Sequence, residues 1–169
     1  MGRAATAGLV LAAGSLLAGC GVQAASDAPA TSTSVAPTSA SVTGLAAVRP
    51  CGLLSPSDRS TAGLTSVGKD KTIGTARACD WTETGSFGLT ITLDDSAGLN
   101  DLDTGGGEKV TVGGHDAVRV SSTGGCAVLL AAGEKASAQI DVTNASFSDS
   151  AAACDRATTV AELIEPKLP

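Results

Sequence analysis

The sequence predicts an α+β fold: an antiparallel sheet of about five strands, with an N-terminal and a C-terminal helix packed on it and two disulfides. Three observations carry that prediction. Phe87, Leu89, Ile91 and Leu93 alternate with Gly88, Thr90, Thr92 and Asp94, the pattern of a strand buried on one face only. Helix signals bracket the strand-rich stretch: Ser55-Pro56-Ser57-Asp58 at its start, and Cys154, Ala157, Ala161, Ile164 and Leu168 at helical spacing at its end. Four cysteines, Cys51, Cys79, Cys126 and Cys154, lie in the same stretch and can cross-link it.

Residues 1–19 have the parts of an export signal. Arg3 supplies a small positive region, and the apolar run Ala7–Ala18 is shorter than the roughly 20 residues needed to span a bilayer. Leu17-Ala18-Gly19-Cys20 resembles a bacterial lipobox, the signal at which a lipoprotein is acylated on cysteine and cleaved before it. The resemblance implies a lipidated Cys20 as first mature residue, carrying a thioether-linked diacylglyceryl group and an amide-linked acyl chain. Each buried methylene contributes about 0.8 kcal/mol, so two or three chains anchor firmly where one holds marginally. The expected location is therefore the outer face of the cell membrane, with the membrane engaged through lipid.

Residues 20–49 read as the lipidated cysteine and a linker. Ala, Ser, Thr, Pro and Val dominate, and Asp27 and Arg49 are the only charged residues. Such a segment buries too little apolar surface to offset its chain entropy, so it is expected to be disordered. A flexible chain of this length averages roughly 30 Å end to end and reaches about 90–100 Å when stretched.

Residues 50–169 form the expected folded domain. Ser55 caps a short helix to about Leu64, with Pro56 at its first position and Asp58 as the acid of a capping box. Arg77–Glu83 reads as a strand with Cys79 and Trp81 on one face, followed by the alternating strand at Phe87–Asp94. Glu108–Val112 and Asp116–Ser121 flank Gly113-Gly114-His115. A two-residue Gly-Gly turn would pair Val110 with Ala117. A three-residue loop would put Val110, Val112, Val118 and Val120 on one face, and burial of that face favours the longer loop. Cys126–Ala131 is a continuous apolar run, while Ala138, Ile140 and Val142 alternate with Gln139, Asp141 and Thr143. A last helix is expected over Ser150–Lys167. Short connections between successive strands imply an antiparallel meander with two helices on one face.

With Cys20 set aside for lipid, the remaining cysteines are even in number, as an exported domain with two disulfides requires. Of the three possible pairings, Cys51–Cys79 and Cys126–Cys154 are favoured, because each closes the same spacing and ties a helix start to a strand start. A zinc site is disfavoured, since no CxxC or histidine spacing accompanies the thiols.

Composition excludes several functions. The formal net charge is −6, and one unit more negative without Arg3, so no nucleic-acid partner is expected. There is no Tyr, with two Phe and one Trp, so stacking platforms are scarce, and Trp81 reads as core packing. His115 is the single histidine. It cannot form a base–orienter pair with Asp116, because adjacent strand residues point to opposite faces. Asp94, Asp95, Asp101, Asp103 and Glu108 crowd one loop with Gly105–Gly107. An EF-hand beginning at Asp101 would need Glu where Val112 stands, so a solvated loop is favoured over a calcium site. No catalytic residue, metal or cofactor is assigned, and no enzyme activity is expected.

The order of these motifs resembles a known family. Cys51-Gly52-Leu53-Leu54-Ser55-Pro56 with Asp58, then Cys79-Asp80-Trp81, Val112-Gly113-Gly114 with Ala117-Val118, Cys126, Cys154-Asp155 with Ala157, and Leu168-Pro169 are similar to the actinobacterial lipoprotein family with domain of unknown function 3558. His115-Asp116 departs from the polar residues and proline expected there, which bears on the turn type. The resemblance implies an exported lipoprotein without an established activity, and no catalytic residue carries over. The expected function is a tethered binding or interaction module with an envelope-protein or cell-wall partner. The alternative is a carrier of a small apolar or lipid ligand held between sheet and helices.

Overall fold

The computed structural model describes residues 43–169. The expected signal segment, Cys20 and the linker up to residue 42 lie outside the described residues. In chain order the fold has α1 (Pro56–Thr61), β1 (Lys69–Ile73), β2 (Ala76–Glu83), β3 (Phe87–Asp94), β4 (Glu108–Val112), β5 (His115–Ser122), β6 (Gly125–Gly133), β7 (Ala136–Asn144) and α2 (Ser150–Ile164). Short 3-10 turns stand at Gly44–Ala47, Pro50–Gly52, Leu99–Asp101 and Glu165–Lys167.

The sheet has seven strands, not about five, in the order β1-β2-β3-β7-β6-β5-β4, with every pair antiparallel. It is not one meander. Two meanders, β1–β3 and β4–β7, join where Ile91 of β3 lies opposite Ile140 of β7 and Leu89 opposite Val142. The segment 95–107 must therefore carry the chain from the middle of the sheet to its far edge. β1 went unread because Lys-Asp-Lys-Thr-Ile has no apolar alternation and all five residues are exposed. Its strand character comes from pairing with β2, and its lysines suit an edge that must not recruit another chain.

The β4–β5 register also differs from expectation. Val110 pairs with Ala117 and Val112 with His115, so the turn is the two-residue Gly113-Gly114. Gly113 takes φ +56°, which only glycine adopts without cost. The longer loop presumes that Val118 shares the face of Val112. In fact both faces of β5 are covered: Ala117 is buried on one side and Val118 on the other.

On one face α2 packs over β6 and β7 and reaches β5 and β4, while the 3-10 turn Pro50–Gly52 lies against β2 and β3. Asp149 caps α2 by accepting from the Ala152 amide at 2.9 Å. Ala153, Ala157, Val160, Ala161 and Ile164 are fully buried, and the alanines let the helix lie close to the sheet. The helix stops at Ile164, short of the expected Lys167. Pro166 lacks the amide hydrogen that would continue the ladder, and the chain tightens into a 3-10 turn.

The N-terminal helix is smaller than expected and does not itself pack on the sheet. None of Pro56–Thr61 is buried; Leu53, Leu54, Ala62 and Leu64 on either side fill the core instead. The capping box is present, with Ser55 Oγ accepting from the Asp58 amide and Asp58 Oδ2 accepting from the Ser55 amide. The helix ends at Thr61 in a Schellman motif: Gly63 donates to Ser60 and Leu64 to Arg59. Residues 43–49, expected in the linker, belong to the packed structure. Leu45 is buried, and Arg77 Nη2 donates to its carbonyl at 3.0 Å while Nη1 donates to Val48.

The two disulfides are Cys51–Cys79 and Cys126–Cys154, each spanning 28 residues. The first fastens the 3-10 turn before α1 to β2, and the second fastens α2 to β6.

Candidate functional site

The sheet's two faces are finished differently, and that difference locates the site. The face under α2 is closed. The other face carries Lys71, Asp80, Thr90, Thr92, Gln139 and Asp141 over β1–β3 and β7, then Leu129, Ala131 and Val118 over β6 and β5. This follows from the register: Asp80 lies beside Thr90 and Thr90 beside Asp141, while Gln139 lies beside Leu129 and Leu129 beside Val118.

The 95–107 crossover lies along this second face. Ser137 Oγ donates to the Ala97 carbonyl at 2.8 Å, and Lys135 Nζ reaches Asp101 Oδ1 at 3.0 Å. Gly98 packs so close to the β6–β7 turn that a Cβ there would lie 2.1 Å from the Glu134 carbonyl oxygen. A Cβ on Gly107 would lie 2.7 Å from both Val118 Cγ1 and Val120 Cγ2. Between these two points of close contact the crossover stands off from the sheet. The gap is a cleft of about 510 Å³ lined by Leu99, Leu102, Val118 and Ala131, with Lys109, Asp116 and Glu134 among its polar residues. That size is ordinary for a small-molecule site, which spans about 300–1,000 Å³.

Beside the cleft, the polar strip has its own electrostatics. Gln139 Nε2 donates to both oxygens of Asp141 at 2.9 Å. Burial raises the Asp141 pKa, and the Gln139 bond offsets this only in part. Thr90 Oγ1 donates to Asp80 Oδ1 at 2.6 Å, and Lys71 stands 3.7 Å from the same oxygen.

The structure places each residue weighed in the sequence. His115 is paired, though not with Asp116. Its Nδ1 lies 2.9 Å from Glu165 Oε1, and its Nε2 lies 3.3 Å from the Pro169 carbonyl. Glu165 Oε1 also accepts from the Gly114 amide at 2.9 Å, and that bond, then His115, lowers the Glu165 pKa. This cluster ties the β4–β5 turn to the end of α2. It needed a partner fifty residues away, which no local pattern announces.

The five loop carboxylates do not converge. Asp94 accepts from Ser96 and Ala97, Asp95 pairs with Arg77, Asp101 with Lys135 and the Gly98 amide, Asp103 with the Gly105 amide, and Glu108 with Arg119. Trp81 is buried beside Cys79, where a Cβ on Gly68 would come within 2.7 Å of the indole and 2.6 Å of the cysteine sulfur. The cleft itself was missed. Its signal in the sequence was the unbroken apolar run Cys126–Ala131, which marks a strand covered on both faces while β3 and β7 alternate.

With the fold, the two disulfides and the cleft described, a family profile described as "Protein of unknown function (DUF3558)" matches residues 15–167. The chain belongs to the DUF3558 family. No curated protein and no solved structure matches it. The match covers every described element through the 3-10 turn Glu165–Lys167, so the cleft lies wholly within the DUF3558 region. Among its described residues, no helix of this DUF3558 chain is long and apolar enough to cross a membrane.

Proposed function

We propose that this chain is an envelope lipoprotein, tethered through Cys20 to the outer face of the cell membrane, whose domain binds a partner instead of catalysing a reaction. The observation that carries the binding reading is the contrast between the two sheet faces. One is filled by α2; the other is left with a shaped cleft and a polar strip. The side chains best suited to acid–base chemistry have structural partners: His115 is paired with Glu165 at a turn, and Asp141, whose pKa burial raises, is held by Gln139. The anchor reading rests on the Leu17-Ala18-Gly19-Cys20 sequence. The carrier alternative, as framed from the sequence, needs room between sheet and helices, where Ala153, Ala157, Val160 and Ile164 leave none; a small ligand would sit on the second face.

Two measurements test this. Cys20→Ala should move the protein from the membrane to the soluble fraction, and retention in the membrane would refute the anchor. A photo-crosslinking residue at position 102, beside the cleft, should give a discrete adduct in cells that the same residue at position 162, on the outer surface of α2, does not. Equal labelling from both positions would remove the second face as the binding surface.

A further inference from the structure

The cleft between the crossover and β4–β6 has a chemistry of its own. Its apolar lining comes from two elements: Leu99 and Leu102 from the crossover, Val118 and Ala131 from the sheet. Both leucines are only partly buried, so they present carbon surface to the gap. Three charged side chains also line it. Asp116 comes from β5, Glu134 from the β6–β7 turn and Lys109 from β4, and all three are exposed.

None of the three has an ion-pair partner among the described residues. Two nearby pairs are matched, Lys135 with Asp101 and Arg119 with Glu108, while Asp103 accepts only from the Gly105 amide. The cleft is thus a gap of mixed lining, more polar than apolar, carrying two unmatched carboxylates and one unmatched ammonium, a net negative site. The crossover wall is itself held in place by Ser137 and Lys135 at one end and by the Gly107 contact with Val118 and Val120 at the other. The site is therefore built before any ligand arrives.

The geometry points to a short peptide or amino-acid derivative with a free ammonium and an apolar side chain as the ligand of this cleft. The apolar side chain lies between Leu99 and Leu102 on one side and Val118 and Ala131 on the other. The ammonium meets the carboxylates of Asp116 and Glu134, and Lys109 accommodates a carboxylate where the ligand carries one. A neutral apolar molecule would leave all three charges unmatched. An anion would face two like charges. This inference rests on the proposal that the second face is the binding surface, and the test separates the two.

The full-length chain, isotopically labelled and held in detergent micelles, is titrated with leucyl-leucinamide and with its N-acetyl form, which has the same side chains and no ammonium. Leucyl-leucinamide should shift the amides of residues 99–104, 116–118 and 131–134 saturably. Acetylation should weaken binding about tenfold or more, the scale of one charge-assisted hydrogen bond. Asp116→Asn with Glu134→Gln, both exposed positions, should bring the two peptides to the same weak affinity. Ala131→Phe should abolish binding of both while the spectrum stays dispersed. If the acetylated peptide binds as well as the amine, the ligand class is wrong and the cleft stands as a binding site. If neither peptide shifts the cleft amides, the ligand class is refuted, and the second-face reading is judged separately by the crosslinking at position 102.

Discussion

Removing either disulfide should cost nearly the same stability, and removing both should cost about twice as much. Cys51–Cys79 and Cys126–Cys154 each span 28 residues, so each restricts the unfolded chain equally. Loop-closure entropy sets the loss at about 3.6 kcal/mol per bridge. Domains of this kind have about 5–15 kcal/mol in total, so one loss leaves a folded protein and two, about 7 kcal/mol, remove about half of that or more. The perturbation is paired alanine substitution at 51 and 79, at 126 and 154, and at all four, in a Cys20→Ala background that removes the fifth thiol. Urea unfolding is followed by fluorescence of Trp81, the single tryptophan, buried on the core face of β2 beside Cys79, and by far-ultraviolet circular dichroism for α2. Coincident curves establish a two-state transition. The two paired variants should agree within about 1 kcal/mol, roughly the worth of one buried methylene. Their denaturant slopes should rise, because an unfolded chain without the cross-link exposes more surface. A loss below about 1.5 kcal/mol with an unchanged slope would show that the bridges do not act through the unfolded chain, and the reasoning would fail.

Three further outcomes follow from single residues. Glu83 accepts from the Thr65 and Ser66 amides and from Thr65 Oγ1, and its pKa is lowered to about 2 chiefly by the hydrogen bonds from Thr65 and Ser66. Its stabilisation is full above its ordinary pKa of 4.5 and is lost as pH falls through about 2, so Glu83→Gln should flatten the acid limb of a urea-midpoint profile over that window. A limb of unchanged slope would place the acid sensitivity elsewhere. Asp141 has the opposite sign. Burial raises its pKa, so its ionised form opposes folding at neutral pH, and Asp141→Asn should be at least as stable as the parent at pH 7; clear destabilisation would contradict the burial argument. Gly113→Ala should lose about 1–3 kcal/mol, because the residue sits at φ +56° and its Cβ would lie 2.2 Å from the Glu165 carboxyl carbon. Wild-type stability in that variant would show that the turn and the His115–Glu165 contact are loose.

What the sequence makes legible follows from how many faces of an element are buried. β3 and β7 are readable because one face of each is buried, β7 under α2 and β3 beside the 3-10 turn Pro50–Gly52, and the other is half-exposed, so Leu89, Ile91, Ile140 and Val142 alternate cleanly with polar residues. The cysteine pairing is readable because equal spacing and helix-to-strand closure favour it. β1 is not readable, since an edge strand with five exposed residues has no apolar signal to give. The strand order is not readable either. A linear chain cannot show that β7, not β4, lies beside β3, because that choice is made by matched side chains more than forty residues apart. The acidic loop misleads for a related reason. Asp94, Asp95, Asp101 and Asp103 are close in sequence, yet each turns to a different partner once the segment is stretched over the sheet: Asp94 and Asp103 to nearby loop residues, Asp95 to Arg77 and Asp101 to Lys135.

The crossover connects that topology to the site. Because β3 pairs with β7, the chain leaving Asp94 must travel along the second face to begin β4 at Glu108, the far edge. A direct hairpin from β3 to β4 would need no such segment and would leave the second face of β5 and β6 bare. The crossover explains why Val118 and Leu129 are buried on the face away from α2, and why β6 reads as an unbroken apolar run. It also explains the glycines that the acidic loop carries, since Gly98 and Gly107 are the points where backbone must approach the sheet most closely. Between those two contacts the same strap stands away from Val118 and Ala131, and the space left is the cleft. The seven-strand order, the failed register argument at Val118 and the location of the binding surface are thus three consequences of one connection.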